Sequence, residues 1–181
     1  GYGLLGKEIS NQTNWDYISR SKDKTFNFDN INSYKDVLLK YDTIINCVAH
    51  TDTYSQDKSK HWNTNYKALA DLVDFCNIKN KKIVHISTDY VFDGKNGPYA
   101  ENDKVCPISV YGQTKKNGEK ILSNLKNKKI QVIILRLFNV YGPGQDYLNL
   151  KQGMLSIYLF QIFKNKFVKF SGSLERSRDL I

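Results

Sequence analysis

Apolar, β-branched runs alternate along the chain with longer stretches in which apolar residues return every three or four positions, a pattern that predicts strands interleaved with helices. "TIINCVA" (43–49) is a continuous apolar run of the kind found in strands covered on both faces. "KKIVHIS" (81–87) and "IQVIILRL" (130–137) predict two more strands. Between the first two, Trp62, Tyr66, Leu69, Val73 and Cys76 recur at helical steps, which predicts a long helix over 59–78. Helices are also predicted near 4–12, 31–40, 108–125 and 151–164, with short strands at 15–19 ("WDYIS"), 25–28 and 166–170 ("KFVKF"). This order implies an α/β fold, a doubly wound parallel sheet of the Rossmann type. Between Ser87 and Pro107 lies one long irregular stretch, and loops of that length inside a compact domain are usually functional.

Composition narrows the classes without choosing among them. With 181 residues, 40% hydrophobic and 25% charged, the chain reads as soluble and globular. No apolar run approaches the roughly 18 residues of a membrane span, and no secretory signal pattern stands at the visible start. Cys47, Cys76 and Cys106 are odd in number and lack any C-x-x-C pair, so neither a disulfide framework nor a zinc site is indicated and a reducing cytoplasm is expected. His50, His61 and His85 lack ligand spacing, so no metal is expected. The net charge of +9 comes from lysines scattered among Asn and Asp with no nucleic-acid-binding motif. Solvated faces, and a field that welcomes a small anionic substrate, account for it.

Two stretches carry candidate chemistry. The chain opens "GYGLLG", a Gly-x-Gly-x-x-Gly run that in dinucleotide-binding folds turns a strand into a helix. No strand precedes Gly1, so the chain is expected to be part of a longer protein. In "YGQTK", Tyr111 and Lys115 are four residues apart and share one helix face. A cation beside a phenol favours the phenolate, and a nearby ammonium together with an oxidised nicotinamide would bring Tyr111 down toward neutrality as a general acid for hydride transfer to a carbonyl. Spacing alone does not choose this pair, since Tyr54 with Lys58 and Tyr147 with Lys151 also match. What favours Tyr111 is the preceding "HISTDYVFDG", whose strand ends in Ser87 and Thr88 at the ligand-binding edge of an open α/β sheet. A hydroxyl there can hydrogen-bond the same substrate oxygen.

The segments "STDYVFDG", "PYAEND", "YGQTK" followed by "GEK", and "RLFNVYGPGQ" resemble the extended short-chain dehydrogenase/reductase superfamily acting on nucleotide sugars. Residues 44–120 are most similar to the dTDP-4-dehydrorhamnose reductase branch, and residues 132–181 to the NAD-dependent epimerase/dehydratase branch. The resemblance implies Thr88, Tyr111 and Lys115 as the catalytic triad, with Lys115 also holding the nicotinamide ribose. It implies that Gly3, Leu4, Leu5 and Gly6 line the cofactor pyrophosphate, and that Ala49 and His50 of "NCVAHT" line the cofactor further along. For the substrate it implies Asn139 near the diphosphate, Arg178 on a phosphate, and Thr88 as a further contact.

Two departures bear on the reaction. The dehydratases carry an Asp-Glu pair after the Thr, whereas Asp89 is followed here by Tyr90, so dehydration is disfavoured. The rhamnose-type reductases usually have Trp at the position of Asn139, where epimerases have Asn. The expected activity is hydride transfer between a nicotinamide and C4 of a nucleotide-linked hexose, as a reductase or alternatively as an epimerase. A non-catalytic nucleotide-binding regulatory subunit is the alternative from another class. NADP is expected over NAD, because about 20 residues past the first glycine the chain offers Arg20 and Ser21 and no carboxylate until Asp23. A Rossmann-type domain over 1–181, whose substrate-binding part starts near 139, and possible homodimerisation complete the expectations.

Overall fold

The computed structural model describes residues 3–53, 55, 57–95, 97–125, 130–146, 148 and 153–170. The chain divides into two units, Gly1–Arg136 and Leu137–Ile181. In the first, α1 (Leu4–Gln12) precedes α2 (Lys35–Leu38) and β1 (Thr43–Asn46). A long helical stretch follows, made of α3 (Lys58–Trp62), a π-helical turn (Asn63–Lys67) and α4 (Ala68–Ile78). Then come β2 (Lys82–Thr88), α5 (Val110–Leu125) and β3 (Val132–Leu137).

β1 and β2 pair in parallel, Thr43 opposite Lys82 and Asn46 opposite His85, and β3 joins the other side of β2. The fold is a Rossmann-like α/β sheet. Both connecting helices, α4 and α5, pack on β2 and on each other. Their apolar stripes build the core: Leu69, Leu72, Val73 and Cys76 from α4 meet Ile83 of β2 and Leu122 and Leu125 of α5. Each fully buried Leu or Val contributes roughly 1.5–3 kcal/mol relative to an exposed one. The two-residue period of β2 turns Ile83, His85 and Ser87 to the buried side, so the same alternation that fills the core also places two polar side chains beneath α5.

Four expectations are corrected. Residues 15–19 are not a strand. Among the described residues no strand pairs with this segment, and the sheet consists of β1, β2 and β3. Nor do residues 25–28 form one, because side-chain oxygens take the backbone donors: Thr25 N donates to Asp23 Oδ1 at 2.8 Å and Asn27 N to Ser33 Oγ at 2.9 Å. The helix expected over 31–40 is a 3₁₀ turn at Ile31–Ser33 and the short α2, separated by Tyr34 with ψ near −3°. Ser33 Oγ donates to the carbonyls of Asn27 and Asn30, a local alternative to helical bonding.

In the second unit, α6 (Met154–Asn165) runs between Gly153 and Lys166, both with left-handed backbones. Residues 166–170 are irregular, the fourth correction: Lys169 N donates to the Gln161 side chain at 2.7 Å rather than to a neighbouring strand.

Candidate active site

The predicted triad gathers where β2 ends. Thr88 is its last residue and caps the short 3₁₀ turn Asp89–Val91, accepting from Tyr90 N at 3.3 Å while its hydroxyl donates to Asp89 Oδ1 at 3.0 Å. Tyr111 sits in the first turn of α5, where a hydrogen bond with Thr88 reaches its hydroxyl. Its ring packs edge-on to Tyr90, with centroids 5.6 Å apart. Lys115, one turn further, is 1% exposed and donates to the Ile86 carbonyl at 2.6 Å.

α5 comes this close because two of its residues have no side chain. A Cβ on Gly112 would overlap the Tyr90 carbonyl oxygen and stand 2.9 Å from Pro107 Cβ, and one on Gly118 would stand 2.7 Å from a methyl of Leu69. The helix is braced from its other end by Glu119. That carboxylate accepts from Ser87 Oγ at 2.5 Å and from Arg136 Nε and Nη2 at 3.1 and 2.8 Å. Arg136 also donates to the Glu101 carbonyl at 2.9 Å, tying the irregular stretch to β3.

In the protein alone, burial governs the phenol. Burial pushes Tyr111 up to about 12, with the Thr88 hydrogen bond pulling back and the charge of Asp89 adding to the rise. Burial lowers Lys115 to about 8, opposed by Glu119 and Cys47. The lysine's bonds run to His85 and Ile86 rather than to the phenol. In the protein alone, a buried phenol in its neutral, proton-donating form and a lysine near its titration point are therefore the two groups on offer.

The remaining predicted residues are placed less evenly. Gly3 is the N-cap of α1 and no side chain caps the amides there; Leu4, Leu5 and Gly6 follow half-buried in the first turn. Such uncapped amides suit an anion. Arg20 and Ser21 lie exposed in a turn rather than at a strand end, with Ser21 Oγ 2.8 Å from Ser19 Oγ. Ala49 and His50 are half-buried after β1, and His50 Nε2 is buried with no partner among the described residues. Asn139 belongs to the second unit. Arg178 falls outside the described residues, as do Tyr54, Tyr147 and Lys151 of the competing pairs. Among the described residues no cluster of three or more His, Cys, Asp or Glu could hold a metal.

Sequence reasoning missed Asn65. It is 2% exposed in the π-helical turn, accepts from His50 N at 2.7 Å, and donates to His50 O at 2.9 Å and to Thr114 Oγ1 at 3.2 Å. It thereby clamps the segment after β1 to α5. The signal was present: Asn65 interrupts the apolar stripe four residues before Leu69. His61 also went unread as a site neighbour; it is 2% exposed, with its ring 4.5 Å from that of His50 and 6.1 Å from that of Tyr111.

Residues 1–158 match the RmlD substrate binding domain family. The chain belongs to that family. It is 37% identical over 107 residues to a dTDP-4-dehydrorhamnose reductase of Aggregatibacter actinomycetemcomitans, a match covering 58% of this chain and 36% of the relative. It is 29% identical over 178 residues to the methionine adenosyltransferase 2 subunit beta of Pongo abelii, covering 91% of this chain and 52% of that protein. The chain thus spans about half or less of the curated relatives it matches. Among solved structures it is similar to the dTDP-4-dehydrorhamnose reductase of Bacillus anthracis in complex with NADP, at TM-score 0.68 and 28% identity over 81% of this chain and 54% of that one. A UDP-glucuronic acid 4-epimerase from Bacillus cereus in complex with UDP-glucuronic acid and NAD gives TM-score 0.68 and 27% identity, over 81% and 47% of the two chains. The family resemblance read from the motifs is borne out. No described helix is long and apolar enough to cross a membrane.

Proposed function

We propose that the protein containing this chain is a nucleotide-sugar oxidoreductase that reduces the C4 carbonyl of a nucleotide-linked deoxyhexose. The observation that carries this reading is the meeting of Thr88, Tyr111 and Lys115 at the end of β2. A bound reduced nicotinamide supplies the hydride. The residues present fit such a cofactor, since α1 opens on uncapped amides at Gly3 and His50 Nε2 is an orphaned buried nitrogen. Gly3 to Gly6 would hold its pyrophosphate, Arg20 and Ser21 the 2′-phosphate of NADP, Ala49 and His50 the stretch between, and Lys115 the ribose.

Thr88 and Tyr111 orient the substrate carbonyl by hydrogen bonds to its oxygen, and the Tyr111 hydroxyl gives that oxygen its proton as charge develops there. The high proton affinity of the buried phenol keeps the donor form populated across neutral pH. Lys115 supplies the nearby positive charge that the phenolate left behind requires. Asn139 and Arg178 we assign to the substrate diphosphate, in a substrate-binding part beginning near 139. The reading also includes a cytoplasmic setting, consistent with three free cysteines among the described residues, and a homodimer.

Turnover of a 4-keto nucleotide sugar by the intact protein with NADPH tests the proposal. Tyr111→Phe is expected to lower kcat by about 10²–10⁴-fold with NADPH binding unchanged; activity within a few-fold of wild type would reject Tyr111 as the acid. The regulatory-subunit reading is kept because the relative named methionine adenosyltransferase 2 subunit beta covers 91% of the chain. Wild-type binding of NADPH and sugar nucleotide without turnover would favour it.

A further inference from the structure

Lys115 and Glu119 are four residues apart on α5, so they share one face of the helix, and both are taken out of water there, at 1% and 5% exposed. They land on consecutive residues of β2. Lys115 Nζ donates to the Ile86 carbonyl at 2.6 Å, and Glu119 Oε1 accepts from Ser87 Oγ at 2.5 Å. Arg136 of β3 grips the same carboxylate, its Nε donating to the two oxygens at 3.1 and 3.2 Å and its Nη2 to Oε2 at 2.8 Å. Donors from two strands thus fix the carboxylate on the face it shares with the lysine.

An ammonium taken out of water loses its hydration, and burial alone drives it towards the amine. Negative charge nearby opposes that. Around the lysine, β2 contributes His85, whose Nε2 is 3.0 Å from Nζ, and the segment after β1 contributes Cys47. The turn after β2 carries Asp89, α5 itself Tyr111, and α3 His61, whose ring stands 6.1 Å from that of Tyr111. Burial keeps His85 neutral and pushes the Cys47 thiol and the Tyr111 phenol up, so none of these three carries charge at neutral pH. The charge of Asp89 acts on Tyr111, whereas that of Glu119 acts on the lysine. Burial lowers Lys115 to about 8, and Glu119 opposes a further fall, so at pH 7 the lysine is mostly an ammonium.

We propose that Glu119 is a positioning residue whose charge, fixed in place by Ser87 and Arg136, keeps Lys115 an ammonium at neutral pH. The helix spacing that sets Lys115 one turn after Tyr111 continues for one turn more and sets the carboxylate behind the cation. The consequence for turnover rests on the reading of Lys115 as the positive charge beside the Tyr111 phenolate. A lysine that gave up its proton below neutral pH could not supply that charge.

The test follows the Lys115 ¹³Cε signal, identified by its absence from Lys115→Met, through a pH titration of intact protein labelled with ¹³C-lysine. Wild-type Lys115 is expected to titrate near 8, and titration below 7 would overturn the proposal. Glu119→Gln keeps the shape and the acceptor for Ser87 but removes the charge, and is expected to lower the Lys115 titration by about one pH unit or more. An unchanged titration in the folded variant would show that Glu119 only braces the helix, and would overturn the proposal. Glu119→Asp restores the charge and is expected to recover most of the shift; titration as low as in Glu119→Gln would count against the proposal in the same way. Should Glu119→Gln fail to fold because Arg136 is left unpaired, Glu119→Gln combined with Arg136→Met removes both charges and is read by the same criterion. None of these titrations depends on turnover, so a lowered titration in a protein that turns over no 4-keto nucleotide sugar would refute the oxidoreductase reading and leave this inference standing.

Discussion

Two parts of the first unit offer groups to the candidate site, and they are built in opposite ways. Around Lys115 the chain supplies the partners itself: His85 and Ile86 for the amine, Ser87 and Arg136 for Glu119, Asn65 for the segment carrying His50. Around Gly3 and Arg20 it supplies almost none. α1 starts without a side-chain cap, and Arg20 and Ser21 are exposed. Polar groups that must hold fixed positions through a reaction are buried and satisfied. Those that would meet the phosphates of a ligand stay open, because their partner comes from outside. Substitutions in the first region should therefore act on folding and in the second on binding.

The largest effect is expected where a glycine lets α5 reach the Tyr90 backbone. Gly to Ala inside a helix ordinarily gains about 1 kcal/mol. At Gly112 the added methyl meets a carbonyl oxygen and the Pro107 ring, neither of which is the end of a flexible side chain, so the helix itself must move. Gly112→Ala is expected to destabilise by roughly 2–3 kcal/mol or more. Gly3→Ala, whose methyl meets nothing within 4 Å, should cost at most about 1 kcal/mol, as a poorer N-cap. Urea unfolding of both variants checks the pair, and comparable losses would mean that the two regions do not differ in packing as described.

This contrast also explains what could be read from the chain. β1, β2, β3, α4 and α5 were legible because apolar period distinguishes them and each buries a face. "WDYIS" carries the same local pattern, but a strand also needs a neighbour at hydrogen-bonding distance, and no described strand pairs with it. Thr88, Tyr111 and Lys115 could be found because helix spacing and a strand end are local facts. The pairs Asn46–His85, Lys115–His85 and Glu119–Arg136 join residues 39, 30 and 17 positions apart, and nothing local announces them. For the same reason the state of Tyr111 in the protein alone is not legible in the sequence: spacing gives it a cation, while tertiary burial, which spacing does not report, pushes it up.

A smaller effect separates the charges of the two regions by pH. Burial lowers Lys115 from 10.5 to about 8, so between these values the folded protein binds fewer protons than the unfolded chain. The resulting stability is complete above 10.5 and is lost as pH falls through 8. Tyr111, raised from 10.0 to about 12, acts with the opposite sign, but only above pH 10, and His85 acts only below 6.5. The window from 8 to 10 thus belongs to the lysine among these three. The stability of the wild type relative to Lys115→Met is expected to improve by about 2 kcal/mol between pH 7.5 and 10 in urea unfolding. A difference independent of pH would show that Lys115 keeps its ordinary affinity for protons in the folded state.

The smallest effect, and the one that most directly tests the open region, concerns Arg20. Its side chain is exposed and has no described hydrogen bond or ion pair, so removing it should leave folding within about 0.5 kcal/mol. A guanidinium gripping a 2′-phosphate makes a charge-assisted contact of roughly 1.5–3 kcal/mol, and exposure to solvent and salt argues for the lower end. Arg20→Ala is therefore expected to weaken NADPH binding about ten-fold while NADH, which lacks that phosphate, changes little. The loss should shrink as salt is raised, because the contact is open to screening ions. Equal weakening of both cofactors would mean that Arg20 supports the turn rather than the phosphate, and tighter binding of NADH than NADPH by the wild type would remove the assignment altogether.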